Sequence, residues 1–358
     1  FAGHLLETAD WSLDGAVEAI AGNICRCTGY ASIERAMAEI LGGLEAAPEP
    51  GLKRIEMLIE RGLLPAYFSR IPDLLAGFQM EDSLPDVAPE RVVISGGTDL
   101  FVQRPDELDE HDVAVIVPPA STEPIRRDDD EIILAGTATA EDLKRSALLA
   151  ETVGDLQGAM RLMGSLPIRH RATIAGNLVN ASPIGDMTII LLALDADLEL
   201  VTGGTSRRLP INHFFLGYKT LDLQPGELIR NVRFTIPGDG HRFNFEKVSK
   251  RTHLDIASVN TALSIVTEDG VITDARLTAG GVAPIPLRLA KAPDAIIGRE
   301  PNGATAMLVA TTAADEVSPI TDVRGSADYK RLLLKQLVLA HFLVLFDLED
   351  QRLLGEAS

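Results

Sequence analysis

Apolar residues recur every three or four positions in the first part of the chain, in two separate stretches. They are Leu13, Ala16, Val17 and Ile20, followed by Ile33, Ala36, Met37 and Ile40. This spacing places each set on one face of an α-helix. Gly22 and Gly29 lie between the two sets, where the first helix can end and a sharp turn can form. The pattern therefore predicts two helices that flank a short loop within residues 1–44.

Prolines, glycines and charged residues are frequent in residues 45–64, which predicts a linker with a short helix at Arg54–Arg61. Strand and helix patterns then follow one another through residues 65–238. The predicted strands are Arg91–Ile94, Val113–Val117, Glu131–Leu134 and Leu198–Val201, and the predicted helices are Ala140–Leu149 and Ile189–Leu194. Their irregular order favours a mixed α+β domain over regular βαβ units.

Residues 239–358 form a third predicted unit. Two apolar strands, Val259–Val266 and Val271–Ala279, flank Glu268-Asp-Gly270, a sequence typical of a hairpin turn. Two helices are predicted after them, at Ala304–Val317 and Lys330–Leu345. The expected fold class is thus α+β, with a helical unit at 1–44, a linker at 45–64 and α+β units at 65–238 and 239–358.

Composition and charge exclude several functional classes. The chain has 358 residues, of which 46% are hydrophobic, and no apolar run is long enough to span a membrane. The net charge is −19 without a basic stripe, so a nucleic-acid partner is not expected. No signal peptide is visible, and we expect a cytoplasmic protein. Because the sequence begins with Phe1 rather than Met, we also expect it to be truncated or processed at its start.

The two cysteines, Cys25 and Cys27, lie in the loop between the first two predicted helices. Thiolates are soft ligands that suit iron–sulfur clusters, zinc and Cu(I), although two inert buried thiols are an equally simple interpretation. A C-x-C spacing is poor disulfide geometry. A [2Fe–2S] cluster needs four ligands, so this sequence offers only part of such a site.

Two glycine-bearing loops are candidate ligand sites. The first, Ser95-Gly-Gly-Thr-Asp99, directly follows a strand, and its backbone N–H groups could form an anion-binding nest. The second, Ala172–Asp186, combines glycines with short hydroxyl and amide side chains that can bind a pyrophosphate and a polar ring edge. Taken singly, an ordinary strand-to-helix turn and a polar surface loop explain them as well. Together the two loops could converge on one phosphate-bearing ligand.

These motifs resemble, in order along the chain, those of the xanthine dehydrogenase and aldehyde oxidase family of molybdenum hydroxylases. The matching segments are Gly22–Tyr30 (the family's cluster signature), Val93–Leu100 and Ala172–Asp186 (its two flavin loops), and Gly280–Pro284 and Asp322–Tyr329 (motifs of the domain that follows). The resemblance covers nearly the whole chain. It implies the C-terminal part of a helical [2Fe–2S] domain, a two-subdomain FAD-binding domain of the PCMH type, and a C-terminal domain like that of the CO dehydrogenase flavoprotein.

The resemblance also implies roles for individual residues. Cys25 and Cys27 would ligate part of a [2Fe–2S] cluster. The FAD diphosphate would lie in the first loop, at Ile94, Ser95, Gly96, Gly97, Thr98, Asp99 and Leu100. The rest of FAD would contact Thr173, Gly176, Asn177, Asn180, Ser182 and Asp186 in the second loop, together with Ile229 and Lys247. Asp255 would belong to a mobile loop near the flavin. No residue of this chain is expected to be catalytic.

The sequence departs from the family pattern in three places. The N-terminal cluster segments and the C-x-x-C before Cys25 are absent, so two of eight cluster ligands are present. Ala175 replaces the first glycine of a G-G-N motif, which is a small change if its φ is negative. Pro167 stands where glutamine is common, which puts the local loop geometry in question.

The implied function is electron transfer within a xanthine dehydrogenase-like oxidoreductase. Electrons would pass from a molybdenum cofactor on a partner through [2Fe–2S] clusters to non-covalently bound FAD, and then to NAD⁺. The implied partner is a large molybdopterin-binding subunit, in a heterotetramer or a dimer of heterodimers. The apolar residues Leu5, Leu6, Ile24, Ile33 and Met37 would either contact this partner or fill the small domain's own core.

Two alternatives stay open at the level of sequence. One is the flavin subunit of another family member, such as an aldehyde, aromatic or CO dehydrogenase-like enzyme with a different substrate or acceptor. The other is a non-catalytic FAD-binding accessory or assembly protein. The substrate at the molybdenum site is not encoded in this chain, because the pocket that binds it would lie on the partner.

Overall fold

Short helices and antiparallel strands form two compact units in the computed structural model of the protein. One unit comprises residues 1–81 with 165–167, and the other comprises residues 82–164 with 168–358. The structure describes residues 1–8, 11–23, 30–44, 48–77, 84–119, 121–251 and 255–348. Over these residues, no helix combines the length and the apolar character needed to cross a membrane.

The first unit is helical. Over its described residues, the α-helices are α1 (Ala2–Glu7), α2 (Leu13–Ala19), α3 (Ala31–Gly42), α4 (Leu52–Glu60) and α5 (Ile71–Ala76), with 3₁₀ turns at Ala21–Asn23 and Ala66–Arg70. The two helices predicted from the apolar spacing correspond to α2 and α3, and the short helix predicted near Arg54 corresponds to α4. Ser12 begins α2 by accepting a hydrogen bond from the Gly15 amide, at 3.2 Å.

A buried arginine joins α4 to the end of α1. The guanidinium of Arg54, which is only 1% exposed, donates to the main-chain oxygens of Leu5, Leu6 and Thr8 at 3.4, 3.1 and 2.7 Å. Its Nε donates to Pro48 O at 2.6 Å. The last carbonyl groups of a helix lack partners within the helix, so Arg54 satisfies the C-terminal end of α1.

Two small apolar cores stabilise this unit. Leu5, Leu58 and Leu64 are buried in one, and Ala16, Ile20 and Met37 are buried in the other. Leu5 and Met37 therefore fill the unit's own core, whereas Ile24 lies outside the described residues. Leu6 and Ile33 are half-buried against the same cores.

The described part of the second unit contains four sheets. Its strands are β1 (Val92–Ile94), β2 (Val113–Val115), β3 (Ile125–Asp128), β4 (Glu131–Ala135), β5 (Asp197–Thr202), β6 (Thr205–Pro210), β7 (Phe215–Gly217), β8 (Thr220–Leu221), β9 (Leu228–Thr235), β10 (His241–Val248), β11 (Val259–Glu268), β12 (Val271–Gly280) and β13 (Leu287–Leu289). The larger sheets are antiparallel, in the orders β3-β4-β9-β5-β6 and β10-β11-β12-β13. Strands β1 and β2 form a parallel pair, and β7 and β8 form a hairpin.

Eleven described α-helices pack around these sheets. They are α6 (Leu100–Gln103), α7 (Pro105–Glu110), α8 (Ala140–Arg145), α9 (Ala147–Thr152), α10 (Leu156–Arg161), α11 (Leu166–Arg169), α12 (Ile174–Val179), α13 (Asp186–Ala193), α14 (Lys291–Asp294), α15 (Gly303–Glu316) and α16 (Ala327–Phe346). Every residue of α13 after Asp186 is buried. This helix contacts β11 and β12 of one sheet and also belongs to the core of the five-stranded sheet, which explains why it is apolar all round.

The sequence patterns predicted the helices α2, α3, α4, α13, α15 and α16 and the strands β1, β2, β4, β5, β11 and β12, and one further predicted helix is interrupted. The predicted helix Ala140–Leu149 is broken at Ser146, which has the extended angles φ −70° and ψ 111°. Its hydroxyl accepts from the Leu149 amide at 3.2 Å and so begins a second helix. A serine side chain can hydrogen-bond to the backbone and so compete with continuation of a helix. At Ser146 this local hydrogen bond prevents the single continuous helix that the apolar spacing predicts.

The predicted hairpin between the third unit's strands is present. Strand β11 ends at Glu268 and β12 begins at Val271, so the loop has two residues, Asp269 and Gly270. Both have positive φ, 49° and 82°, as the tight hairpin turn that matches strand twist requires. By contrast, the eight-residue strands β9 and β10 were not predicted, although Phe243 and Phe245 alternate with polar residues along β10.

A buried histidine links α16 to the four-stranded sheet. His341 is fully buried, and its Nδ1 accepts from Asn244 Nδ2 at 3.0 Å. The Nε2–H group therefore donates to Thr261 Oγ1, at 2.8 Å. Burial lowers the pKa of His341 from 6.5 to about 3, so the imidazole is neutral in the folded protein.

We expect the protein to lose stability as the pH falls below about 6.5. The His341 imidazole then binds a proton in the unfolded chain but stays neutral in the folded protein. The contribution of neutral His341 to the free energy of unfolding is fully present above pH 6.5. Below that pH it decreases by ~1.4 kcal/mol per pH unit until about pH 3. His341→Gln keeps an acceptor and a donor but cannot titrate. Urea unfolding at pH 7 and pH 5 measures the effect, and an equal loss in wild type and variant would contradict this assignment.

Candidate flavin-binding site

The first glycine loop connects β1 to α6. Ile94, at the end of β1, is buried, and its carbonyl oxygen accepts from the Ile116 amide at 2.7 Å. The next residues pass directly against a second chain segment, because a Cβ on Gly96 would overlap the carbonyl oxygen of Arg171. That overlap lies far inside the 3.0 Å below which real Cβ contacts are essentially never seen. Only glycine allows this approach.

Gly97 makes the turn at the end of the first loop. Its φ of +73° is favourable only for glycine, and a Cβ here would lie 2.6 Å from the ring of Phe101. The Gly97 carbonyl accepts from the Phe101 amide at 3.0 Å, and the Asp99 carbonyl accepts from Gln103 at 2.9 Å. Ser95, Thr98 and Leu100 complete the loop and are partly exposed.

The second loop begins on α12. Thr173 is buried and starts this helix, with its hydroxyl accepting from the Gly176 amide at 3.1 Å. The main chain on either side pairs with the segment after β4, through Ala175 N to Gly136 O and Ala140 N to Ala172 O, both at 2.9 Å. Ala175 lies in the first turn of α12 and has no positive φ, so its replacement of a glycine is harmless. Pro167 likewise lies in the first turn of α11, where proline fits a helix.

Ile229 lies directly behind the second loop. It is a buried residue of β9, and a Cβ on Gly136 would overlap its carbonyl oxygen. Gly136 also donates its amide to Arg230 O at 2.7 Å. The main chain of Ile229 therefore supports the segment that pairs with the second loop.

Polar contacts tie the two loops together at the end of α12. Asn180 Oδ1 accepts from Gln103 Nε2 of α6 at 3.3 Å and from Lys219 Nζ at 3.1 Å. The ammonium of Lys219 also contacts the main-chain oxygen of Asn180. With the approach of Gly96 to Arg171, this brings together two loops that are more than seventy residues apart in sequence.

The remaining polar residues of the second loop hold its own backbone or the next helix. Asn177 Oδ1 accepts from Thr188 Oγ1 at 3.2 Å, and Ser182 Oγ accepts from the Ile184 amide at 3.4 Å. By contrast, Gly176 is exposed, and the single neighbour of an added Cβ there within 4 Å would be Thr173 Oγ1, at 2.9 Å. The loops therefore combine close backbone packing with an open, polar surface.

Asp186 and Lys247 form an ion pair at the start of α13. Lys247 Nζ lies 2.6 Å from Asp186 Oδ2, and the two side chains are 2% and 11% exposed. Lys247 also donates to Leu162 O at 2.9 Å, while Asn260 Nδ2 donates to Asp186 Oδ1 at 2.5 Å. Burial raises the pKa of Asp186, and the charge and hydrogen bonds of Lys247 and Asn260 oppose this increase.

The structure thus places every predicted FAD-binding residue in the second unit, on the two loops or directly behind them. These residues fit a phosphate-bearing cofactor, because glycine backbones, hydroxyls and amides surround the open surface at Gly176. Cys25 and Cys27 lie outside the described residues. Sequence reasoning missed Gln103, Lys219 and Asn260; a signal existed for Asn260, a polar residue inside an apolar strand.

A cavity of about 390 Å³ lies elsewhere in the second unit. Its lining includes Leu192, Phe215, Ile285, Leu287 and Arg288, and none of the predicted FAD-binding residues. The size of this cavity therefore does not point to the two glycine loops.

Two family models match the chain. "FAD binding domain in molybdopterin dehydrogenase" matches residues 75–237, and "CO dehydrogenase flavoprotein C-terminal domain" matches residues 245–344. Residues 1–74, which contain Cys25 and Cys27, lie outside both.

Individual proteins are similar over the same region. The medium chain of glyceraldehyde dehydrogenase from Sulfolobus acidocaldarius is 30% identical over 201 residues, which cover 56% of this chain and 71% of that protein. The medium chain of carbon monoxide dehydrogenase from Afipia carboxidovorans is 26% identical over 206 residues, or 58% and 71% of the two chains. Xanthine dehydrogenase/oxidase of Rattus norvegicus is 27% identical over 53% of this chain and 15% of its own length.

The fold is similar to that of solved structures. A carbon monoxide dehydrogenase chain from Hydrogenophaga pseudoflava superposes with a TM-score of 0.66 at 24% identity, covering 70% of this chain and 88% of that one. The match confirms the α+β class of the flavin-binding part.

Proposed function

Because this chain belongs to the FAD-binding subunits of the molybdenum hydroxylase family, we propose that it binds one FAD, non-covalently, across the two glycine loops, and transfers electrons within a larger enzyme. The observation that carries the proposal is the convergence of the loops, through Gly96 against Arg171 and Gln103 against Asn180. Two glycine-bearing turns that meet at one exposed polar surface are what a dinucleotide with a central pyrophosphate needs.

Each predicted residue has a task in this proposal. The backbone from Ile94 to Leu100 approaches the diphosphate, with Gly96 allowing the close contact to Arg171 and Gly97 making the turn. Thr173, Gly176 and Asn177 bind at the start of α12, and Asn180, Ser182 and Asp186 bind along the rest of the loop. Ile229 supports the site from behind, and Lys247 holds Asp186. In the proposed domain division, 65–238 binds FAD and 239–358 completes the module; the matched ranges fall inside these limits.

Bound FAD would supply the redox chemistry, which is acceptance of electrons from a molybdenum centre and hydride transfer to NAD⁺. This chain's residues bind the cofactor, orient it and exclude water from part of it. The molybdenum cofactor would lie on a large partner subunit, in a heterotetramer or dimer of heterodimers. The relatives' names, "medium chain" and "complex subunit alpha", support membership of a multi-subunit enzyme.

Two finer proposals rest on motifs alone. The Gly22–Tyr30 motif supports Cys25 and Cys27 as two ligands of a [2Fe–2S] cluster that other thiolates complete, and iron and sulfide analysis of the assembled enzyme tests it. The order of motifs supports a xanthine dehydrogenase. Relatives named for glyceraldehyde, carbon monoxide and xanthine match at 30%, 26% and 27% identity, so similarity favours other substrates about as well.

The test is flavin content followed by turnover. Purified full-length chain supplied with FAD should retain about one flavin per chain, visible by its absorption, and should reduce a dye with NADH. Asn177→Trp should empty the site, because the indole would fill the surface beside Gly176. Flavin-free protein after FAD addition would overturn the proposal. Retained FAD without NADH-dependent dye reduction would favour the accessory-protein alternative.

A further inference from the structure

We propose that Asn260 is a positioning residue of the FAD site, which fixes Asp186 and the main chain of Ile184 in the geometry that cofactor binding needs. The inference rests on the proposed function. It assigns a role in the site to a residue that belongs to neither glycine loop, and it explains how the four-stranded sheet supports the second loop.

Three neighbouring strands present one row of residues to the second loop. Asn260 on β11 pairs in register with Lys247 on β10 and with Gly280 on β12. Residues directly opposite one another in an antiparallel sheet have side chains on the same face. Across the row, the ammonium of Lys247, the amide of Asn260 and the position of Gly280, which has no side chain, all face the segment that ends at Asp186.

Each member of the row contacts that segment. Lys247 Nζ lies 2.6 Å from Asp186 Oδ2, and Asn260 Nδ2 donates to Asp186 Oδ1 at 2.5 Å and to Ile184 O at 3.2 Å. A Cβ on Gly280 would lie 3.0 Å from Ile184 Cα and would overlap Asn260 Oδ1. Lys247 and Asn260 thus bind the segment that ends at Asp186, and Gly280 allows it to pack closely against the sheet.

The orientation of the Asn260 amide is fixed by its surroundings. Both Nδ2 contacts are acceptors, so the reversed amide would place Oδ1 against a carboxylate and a carbonyl. Asn260 Oδ1 has no hydrogen-bond partner among the described residues, although the side chain is fully buried. A buried acceptor without a partner costs free energy. The two hydrogen bonds that Nδ2 donates explain why asparagine occupies position 260 despite that cost.

A further contact fixes the same segment from β12. Gly281, with a φ of +82°, donates its amide to Pro183 O at 3.0 Å. The main chain of Pro183 and Ile184 is therefore held by Gly281 and Asn260, and the side chain of Asp186 by Asn260 and Lys247. Asn260 is the residue that acts on both, so its loss should release the loop where FAD binds.

The experiment compares Asn260→Leu with Thr261→Val in the full chain. Leucine removes both Nδ2 hydrogen bonds. Thr261 is equally buried on the same strand, but its neighbouring position points to the other face, where it contacts His341. Titration with FAD gives the Kd, thermal unfolding gives the Tm, and the flavin midpoint potential reports the geometry around the bound cofactor.

We expect Asn260→Leu to weaken FAD binding roughly tenfold or more and to shift the potential, while Thr261→Val lowers the Tm without either change. Asn260→Ser, which keeps one donor, should give an intermediate Kd, and it replaces the leucine variant if that one does not fold. Wild-type Kd and potential in both Asn260 variants would overturn the inference and leave the proposed function standing. Wild-type protein that binds no FAD would overturn both.

Discussion

Gly96→Ala should weaken FAD binding on the order of 100-fold, because the added methyl group cannot coexist with the carbonyl oxygen of Arg171. The two segments in contact are both main chain, so neither can rotate away as a side chain would. The first loop must therefore move away from the second, and the proposed FAD site that both loops form is disrupted. Equilibrium titration with FAD, followed by flavin fluorescence, measures the loss.

The matched control for this substitution is Gly238→Ala. Gly238 is exposed, and an added Cβ there would meet nothing within 4 Å. The control variant should therefore bind FAD as wild type does. Wild-type affinity for FAD in Gly96→Ala would contradict the close packing of the two loops. If both variants lost FAD affinity equally, the contact between Gly96 and Arg171 would not be the cause.

Lys247→Met should lower the free energy of unfolding by about 3–5 kcal/mol at neutral pH. The change removes the cation beside Asp186 and leaves a carboxylate buried with Asn260 as its remaining side-chain donor among the described residues. An unpaired buried charge is far more costly than the ion pair is stabilising, so removal of one partner has a large effect. Urea unfolding of wild type and variant measures it.

The pH dependence of Lys247→Met follows from the same charge. Burial already raises the pKa of Asp186, and loss of Lys247 removes the largest influence that opposes this increase. A carboxyl whose pKa is higher in the folded than in the unfolded state binds its proton more tightly when folded, so the deficit should shrink as the pH falls. Asp186→Asn in the Lys247→Met background should recover much of the loss. Lys291→Met, at an exposed position, is the control and should cost under about 0.5 kcal/mol.

Sequence patterns predicted the structure correctly where the deciding interactions lie within a few residues. Glycines after a strand and a two-residue turn with Asp269 and Gly270 each act within a few residues, and their sequence signals predicted a loop and a hairpin that the structure contains. Ser146 shows the limit even at this range. Its hydroxyl outcompeted an apolar period that predicted one continuous helix.

The sequence could not reveal how the site is supported. The row formed by Lys247, Asn260 and Gly280 exists only through strand register, which depends on pairings between residues that are distant in sequence. Likewise, the need for glycine at position 96 arises from Arg171, 75 residues later. Resemblance supplied Lys247 as a cofactor contact, whereas the structure adds that its ammonium is engaged with Asp186 and Leu162.

The arginine that caps α1 lies beside the chain's only tryptophan, which gives the first unit its own spectroscopic signal. Trp11 is the single tryptophan of the chain, and the Arg54 guanidinium lies 5.5 Å from the centre of its ring while the indole N–H donates to Leu5 O at 3.2 Å. Intrinsic indole emission therefore reports on the contacts that Trp11 makes with Arg54 and Leu5. With the emission of bound flavin as the second signal, the melting of each unit can be followed in one cuvette at two wavelengths, without labels.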